Sequence, residues 1–125
     1  MSVSDAESVV MEALWSRQPQ TADEIISEIA ETNGWSAMTI RTLLNRLLNK
    51  KAISASRDGR RYLYSPILSR DAYVHEKSRG LINRLFDGRL APLVSHFSEH
   101  QRLDPDDIKA LKQLVEGLDD VPRRP

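Results

Sequence analysis

The segment from Trp35 to Ile53 carries cationic and hydrogen-bonding side chains at the spacing of one helix face, and it contains no carboxylate. Arginine and asparagine can hydrogen-bond to the edges of guanine and adenine, while threonine and methionine can touch the methyl group of thymine. A carboxylate at such a surface would repel phosphate groups. The segment therefore predicts recognition of duplex DNA through Met38, Thr39, Arg41, Thr42, Asn45 and Arg46.

The net charge of the chain is zero, but its charges are distributed very unevenly. Residues 1–34 carry seven acids and one base, whereas residues 35–65 carry seven bases and one acid. A solvated charged face is the ordinary explanation for such a block. Because the basic block coincides with the segment from Trp35 to Ile53, we favour attraction of a polyanion. Its bases are Arg41, Arg46, Lys50, Lys51, Arg57, Arg60 and Arg61.

Three short helices must position these residues. Capping boxes at residues 4–7 and 21–24 predict the starts of the first two helices, and Asn33-Gly34 predicts the turn that ends the second. Ser36 caps the third helix. Its apolar side, which should pack on the first two helices, consists of Ile40, Leu43, Leu44, Leu47 and Leu48.

Two short strands are predicted at residues 52–57 and 61–65, on either side of Asp58-Gly59-Arg60. Asp-Gly between extended segments is a strong hairpin signal because glycine tolerates positive φ. Three helices and a hairpin predict a winged helix-turn-helix, whose third helix enters the major groove while the hairpin lies along the neighbouring backbone. The residues predicted to contact that backbone are Lys50, Arg57, Arg60 and Arg61.

Three more helices are predicted in the second half, beginning near Ser69, Leu90 and Asp104. The predicted fold is mainly α with a small β-hairpin: a winged helix-turn-helix domain at residues 1–67 and a helical dimerisation domain at residues 68–125. The second domain is too small to bury its apolar residues alone, so a second copy should cover them. Folding back on the winged domain is the alternative. The predicted interface residues are Leu81, Leu85, Leu90, Leu93, Phe97, Leu111 and Leu114.

Several motifs together resemble the penicillinase repressor family, of the BlaI/MecI/CopY type, over roughly residues 4–118. They are SDAE and LW in the first helix, TADEI in the second, WSAMTIRTLLNRLLNKKAI, GRRYLYSP in the hairpin, and Leu-Phe-Asp-Gly followed by a short helix that ends in Phe97. The resemblance implies a homodimeric repressor that binds palindromic operator DNA and controls β-lactam resistance genes. It further implies a membrane-bound sensor protease system whose signal leads to cleavage in the C-terminal half.

The chain departs from this family pattern at two points. In the penicillinase branch the cut falls at an Asn-Phe bond, and the corresponding pair here is His96-Phe97. The copper branch carries a C-terminal cysteine metal motif, and this chain has no cysteine. The resemblance therefore implies a possible cleavage bond at His96-Phe97 and excludes release by metal binding of the copper type.

The sequence does not indicate an enzyme. It has no glycine-rich phosphate loop, no cysteine, and no serine or carboxylate pair in the setting of a nucleophile or base. His75, His96 and His100 make a weak metal site without a cysteine or a well-placed third ligand, so we predict neither metal nor cofactor. Trp15 and Trp35 are expected to be core or helix-junction residues. The apolar runs are short and the start is polar, which predicts a cytoplasmic protein without membrane insertion.

A winged-helix adaptor that binds proteins and no DNA is the alternative function. Such an adaptor has no reason to keep both the third helix and the hairpin rich in bases and nearly free of acids. The charge pattern therefore favours DNA as the partner.

Overall fold

The computed structural model describes residues 2–100 and 103–119, which are mainly helical with one two-stranded antiparallel sheet. The predicted fold class is confirmed. In chain order the elements are α1 (Asp5–Ser16), α2 (Ala22–Asn33), α3 (Ala37–Asn49), β1 (Ile53–Asp58), β2 (Arg61–Pro66), α4 (Arg70–Phe86), α5 (Leu90–His100) and α6 (Pro105–Asp119).

The first three helices begin at the predicted caps. Ser4 and Glu7 form a complete capping box, in which the Ser4 backbone nitrogen is 2.8 Å from Glu7 Oε1 and the Glu7 nitrogen is 3.1 Å from Ser4 Oγ. Thr21 and Glu24 form the equivalent box on α2, and Ser36 accepts a hydrogen bond from a backbone N–H in the first turn of α3. Each cap satisfies amides that the first helical turn leaves unpaired, so these helices start at defined residues.

Gly34 makes the tight turn between α2 and α3. Its φ is 64°, in the left-handed region, and the backbone N–H of the following Trp35 donates to the Ala30 carbonyl at 2.9 Å. A side chain at this position would be strained, whereas glycine is not. The turn therefore fixes where α3 leaves α2, as a helix-turn-helix requires.

The hairpin turn is one residue shorter than predicted, since β1 runs one residue later in the chain, and β2 is one residue longer at its end. Strands β1 and β2 pair from Ile53 opposite Pro66 to Asp58 opposite Arg61, so only two residues form the turn, and the first of them, Gly59, has φ 65°. The prediction that Asp58 belongs to the turn and that the second strand stops at residue 65 was wrong. The short turn leaves Asp58 and Arg61 facing each other, and a proline is tolerated at the end of an edge strand.

The core of the first half lies between α1, α2, α3 and the start of β1. Trp15 and Trp35 are half-buried against it, which confirms the prediction that both tryptophans have a structural role. The fully packed apolar residues come from every helix of the domain. They are Val3, Val10, Met11, Ala13, Leu14, Ile25, Ile29, Ile40, Leu43, Leu44, Leu47, Ala52 and Ile53.

The base of the hairpin is fastened to the segment between α1 and α2. Gln20 and Tyr64 exchange two backbone hydrogen bonds, of 3.1 and 2.8 Å. The buried Gln20 side chain donates from Nε2 to the carbonyls of Ala13 and Arg17, at 2.9 and 2.7 Å. The buried amide nitrogen is thus satisfied while it ties β2 to α1.

The structure divides into two compact units between Lys77 and Ser78, beyond the predicted boundary at residues 67 and 68. The first turns of α4 belong to the first unit and pack against α1. The indole Nε1 of Trp15 donates to the Leu68 carbonyl at 2.8 Å, and its ring centroid lies 5.4 Å from that of Tyr73. These contacts explain why the first turns of α4 belong with the winged unit.

None of the described side chains of the second unit, residues 78–100 and 103–118, is buried. Asp104 caps α6 as predicted, with its Oδ1 2.9 Å from the Asp106 nitrogen. Within the described residues no helix is long and apolar enough to cross a membrane. Large apolar side chains are exposed on all three helices of this unit, namely Leu81, Leu85, Leu90, Phe97, Ile108, Leu114, Val115 and Leu118.

Candidate nucleic-acid interface

Helix α3 has the two faces that its sequence predicts. Ile40, Leu43, Leu44 and Leu47 are buried, and Leu48 is half-buried. The opposite face is open to solvent, and Met38 at its start is 77% exposed. The exposed residues of this face and its flanks include every α3 residue predicted to recognise DNA, that is Met38, Thr39, Arg41, Thr42, Asn45 and Arg46.

Two hydroxyl groups on this face are partly engaged by the helix itself. Thr42 Oγ1 donates to the Met38 carbonyl at 3.0 Å, and Thr39 Oγ1 lies 3.0 Å from Ser36 Oγ. Each hydroxyl oxygen keeps acceptor capacity, and both threonines are exposed residues. These threonines suit apolar contact with thymine and acceptance of a hydrogen bond.

The two arginines of α3 differ in their surroundings. Arg41 Nη2 lies 3.0 Å from Asp23 Oδ1, on the first turn of α2. Arg46 forms no ion pair with any other residue that the structure describes. Within the described part of the chain, therefore, Arg41 has an ion-pair partner and Arg46 has none.

The arginines of the wing, defined here as residues 57–62, are all exposed. Arg61 Nη2 lies 3.1 Å from Asp58 Oδ2, and Arg57 Nε donates to the Gly59 carbonyl at 3.2 Å with its guanidinium 5.9 Å from the Tyr62 ring centroid. Arg60 has no ion-pair partner among the described residues. A hairpin tip with three cations can lie along a phosphate backbone.

Lys50 is the exception among the predicted contact residues. Its Nζ forms an ion pair with Glu7 of α1, whose side chain is only 1% exposed, and lies 2.7 Å from the Ser2 carbonyl oxygen. The second oxygen of Glu7 is buried and has no hydrogen-bond partner among the described residues. Because the ammonium group of Lys50 neutralises this buried carboxylate, we assign it to the packing of α3 on α1 and leave it out of the proposed DNA contacts.

The Glu7 carboxylate should make stability depend on pH. Burial alone would raise the pKa of Glu7, but hydrogen bonds from Lys50 and Ser4 and the charge of Lys50 hold this pKa below its ordinary value of 4.5. A lowered pKa stabilises the folded state above the unfolded pKa, and that contribution is lost as the pH falls through the folded pKa.

We therefore expect wild type to exceed Glu7→Gln in free energy of unfolding by a constant amount above about pH 6. The difference should shrink as the pH falls below 4.5. Urea unfolding of both proteins over a pH series measures it. A difference unchanged down to about pH 3 would contradict the assignment.

Two residues at this surface are not apparent from the sequence alone. They are Asp23 and Tyr62, which lie among the arginines. From the sequence, Asp23 is expected only as one of the acids in the first turn of α2. The geometry of a helix-turn-helix, whose first helix crosses the DNA backbone, is the signal that points to Asp23. Both residues line one shallow hollow, together with Ala22, Arg41, Arg60, Arg61 and Tyr64.

The predicted cleavage pair lies within a helix. His96 and Phe97 are interior residues of α5, and the imidazole of His96 stacks on that of His100 with ring centroids 4.5 Å apart.

In the described part of the chain no three His, Cys, Asp or Glu side chains are grouped as metal ligands.

The fold and its exposed face define a class. Three helices, a turn at Gly34, a hairpin tied to α1, and a third helix with an open basic face make up a winged helix-turn-helix protein. The sequence model of one family, described as penicillinase repressor, matches residues 3–117. The chain belongs to the penicillinase repressor family.

Curated relatives and a solved structure agree with this placement. The penicillinase repressor of Bacillus licheniformis is 35% identical over 114 residues, which cover 91% of this chain and 89% of the relative. The methicillin resistance regulatory protein MecI of Staphylococcus aureus is 32% identical over 113 residues, covering 90% and 92%. The solution structure of monomeric Bacillus licheniformis BlaI in complex with the blaP half-operator is similar with a TM-score of 0.53 and 36% identity, covering 58% of this chain and 89% of that one.

Proposed function

We propose that the protein is a homodimeric transcriptional repressor that binds palindromic operator DNA and controls β-lactam resistance genes. The observation that carries this proposal is the open face of α3, which is exposed along its whole length and has no carboxylate of its own. The names of the similar repressors and the half-operator complex of BlaI support it. The function requires the protein to work in the cytoplasm, where the operator lies.

Helix α3 would lie in the major groove with the wing along the flanking backbone. Asn45 suits a bidentate contact with adenine, and Met38 and Thr42 suit the methyl group of thymine. Arg46 of α3 and Arg60 of the wing have no ion-pair partner among the described residues and suit phosphates. On this arrangement α3 supplies most of the sequence preference, and the arginines supply most of the affinity.

Pairing of two chains through the second unit would bring two α3 helices to the two half-sites of a palindrome. The proposed pairing is supported by the exposed apolar side chains of α4, α5 and α6, which a monomer would leave in contact with water. Of the predicted interface residues, Leu93 and Leu111 are half-buried within the monomer and the other five are exposed.

Release from the operator would follow proteolysis in the second unit after a signal from a membrane-bound sensor protease system. The proposed bond, His96-Phe97, lies inside α5, and proteases bind their substrates in an extended form. Helix α5 must therefore open locally before it is cut. The cut would separate most of α5 from α6 and so break up the surface through which the chains pair.

Two substitutions on α3 should separate affinity from sequence preference. Arg46→Ala should weaken binding to operator and random duplex alike and lower the slope of log K against log salt by about one, because one phosphate contact is lost. Asn45→Ala should lower only the ratio of operator to random binding, by about tenfold, because a bidentate contact to a base is lost. Fluorescence anisotropy titrations at several salt concentrations measure both quantities.

Arg79→Ala is the matched control, since Arg79 is an exposed arginine of α4 that has no ion pair among the described residues. It should leave both quantities unchanged. If wild type binds duplex DNA weakly and without preference for a palindrome, the repressor proposal is wrong. If Asn45→Ala and Arg46→Ala lower operator and random binding by equal factors, the assignment of the α3 face is wrong.

A further inference from the structure

We infer that Asp23 limits the affinity of this protein for DNA by holding Arg41 in an ion pair on the DNA-facing surface. This inference rests on the proposed DNA binding and goes beyond it, because it assigns an opposing role to an acid on the same surface. Arg41 belongs to α3, and Asp23 reaches it from the first turn of α2, with 3.0 Å between Nη2 and Oδ1.

The position of Asp23 places its charge close to where phosphates would lie. It lines a shallow hollow with Arg41, Arg60 and Arg61, of which Arg61 is paired with Asp58 of the wing, so the Asp23 carboxylate lies beside guanidinium groups from both α3 and the wing. Helix α2 is the first helix of the helix-turn-helix, the one that crosses the DNA backbone in this motif. A carboxylate at this point repels the phosphates that the arginines attract.

The ion pair is accessible and exchangeable. Asp23 is 87% exposed and Arg41 is 55% exposed, so water surrounds both groups. Exposed ion pairs are weak, and an arginine can leave its carboxylate for a phosphate or a guanine edge. DNA must therefore compete with Asp23 for Arg41, whereas it meets no such competitor at Arg46 among the described residues.

A purely structural role does not explain the position well. The capping box of Thr21 and Glu24 satisfies two backbone amides at the start of α2, with hydrogen bonds of 3.0 and 3.2 Å, and the Asp23 carboxylate takes no part in it. An acid in the first turn does interact favourably with the helix dipole, but that effect is small at an exposed site. Loss of the Asp23 charge should therefore change DNA affinity far more than it changes folding.

The test is Asp23→Asn, which keeps a side-chain oxygen for Arg41 and removes the charge. We expect affinity for operator and random duplex to rise by similar factors of about 3 to 10. The slope of log K against log salt should become steeper by up to about one, because Arg41 is then fully available to phosphates. Anisotropy titrations against both duplexes, with thermal unfolding to verify that stability is unchanged, give these values.

Glu28→Gln is the matched control. Glu28 is exposed on the same helix, five residues further on and about 140° around its axis, and it has no ion pair among the described residues. The Glu28→Gln substitution should change affinity for DNA by less than about twofold.

A double variant separates the two effects of Asp23. In an Arg41→Ala background, Asp23→Asn should raise affinity by a smaller factor than in wild type, because only the repulsion between Asp23 and the phosphates is then relieved.

The outcomes separate this inference from the proposal on which it rests. If wild type binds DNA in a salt-dependent manner but Asp23→Asn behaves like Glu28→Gln, Asp23 does not limit affinity. If Asp23→Asn weakens binding, the carboxylate orients Arg41 for DNA, and the inference is overturned. If neither wild type nor Asp23→Asn binds duplex DNA, the proposed function itself fails.

Discussion

Leu114→Asp is expected to convert the protein to a monomer and to lower its affinity for a palindromic operator by a factor of about 10² to 10⁴. Leu114 projects from α6 and is 65% exposed in the single chain, in a unit whose described side chains are nowhere buried. A charge in the centre of an apolar interface costs more than the pairing of two small surfaces provides. Sedimentation measures the oligomeric state, and titration with full and half operators measures the affinity.

Gln113→Asp adds the same charge at the preceding position, on the polar side of α6, and serves as the control. It should remain a dimer and keep its operator affinity. Binding of Leu114→Asp to a single half-site should equal that of wild type, because the winged unit is untouched. A Leu114→Asp protein that stays dimeric at micromolar concentration would refute the proposed interface. A monomer that keeps full operator affinity would refute the role of pairing in DNA binding.

Lys50→Met is expected to lower the free energy of unfolding by about 2 to 3 kcal/mol at neutral pH. The substitution leaves the Glu7 carboxylate buried without its ion-pair partner, with one oxygen that already lacks a hydrogen bond among the described residues. The loss is smaller than for a fully buried pair because the Lys50 side chain is 36% exposed, so that solvent screens part of the interaction. Urea unfolding followed by circular dichroism measures the change.

The neighbouring Lys51 provides the comparison. It is exposed and has no ion pair among the described residues, so Lys51→Met should change stability by less than about 0.5 kcal/mol. A double variant, Glu7→Gln with Lys50→Met, should recover much of the loss because no buried charge remains. Equal stability of the two single methionine variants would show that Lys50 does not stabilise the packing of α3 on α1.

Local signals explain why so much of the fold could be predicted from the sequence. The capping boxes at Ser4 and Thr21 act within one helical turn, and the apolar period of α3 decides which of its sides is buried. The exposure of Asn45 and Arg46 follows directly from that period. Such features need no knowledge of how the helices cross.

Other features depend on contacts between residues far apart in the sequence, and these could not be predicted. Arg41 and Asp23 are separated by 18 positions and Lys50 and Glu7 by 43, so both pairs depend on how α1, α2 and α3 pack. From composition alone, Lys50 was therefore predicted to contact DNA, although the fold pairs it with Glu7. In the same way the basic block is nearly free of acids in the sequence, but the fold brings Asp23 beside Arg41. The assignment of DNA binding and dimerisation to the two halves remains a prediction.

The anchoring of the hairpin has a consequence for how such repressors can diverge. Its base is held by the backbone pair of Gln20 and Tyr64 and by buried Ile53, whereas residues 57–62 at its tip are exposed. Insertions after Gly59 or exchanges at Arg60 would lengthen or recharge the tip without disturbing the packed interior. Evolution can thus adjust the length and charge of the hairpin tip while the three packed helices stay fixed.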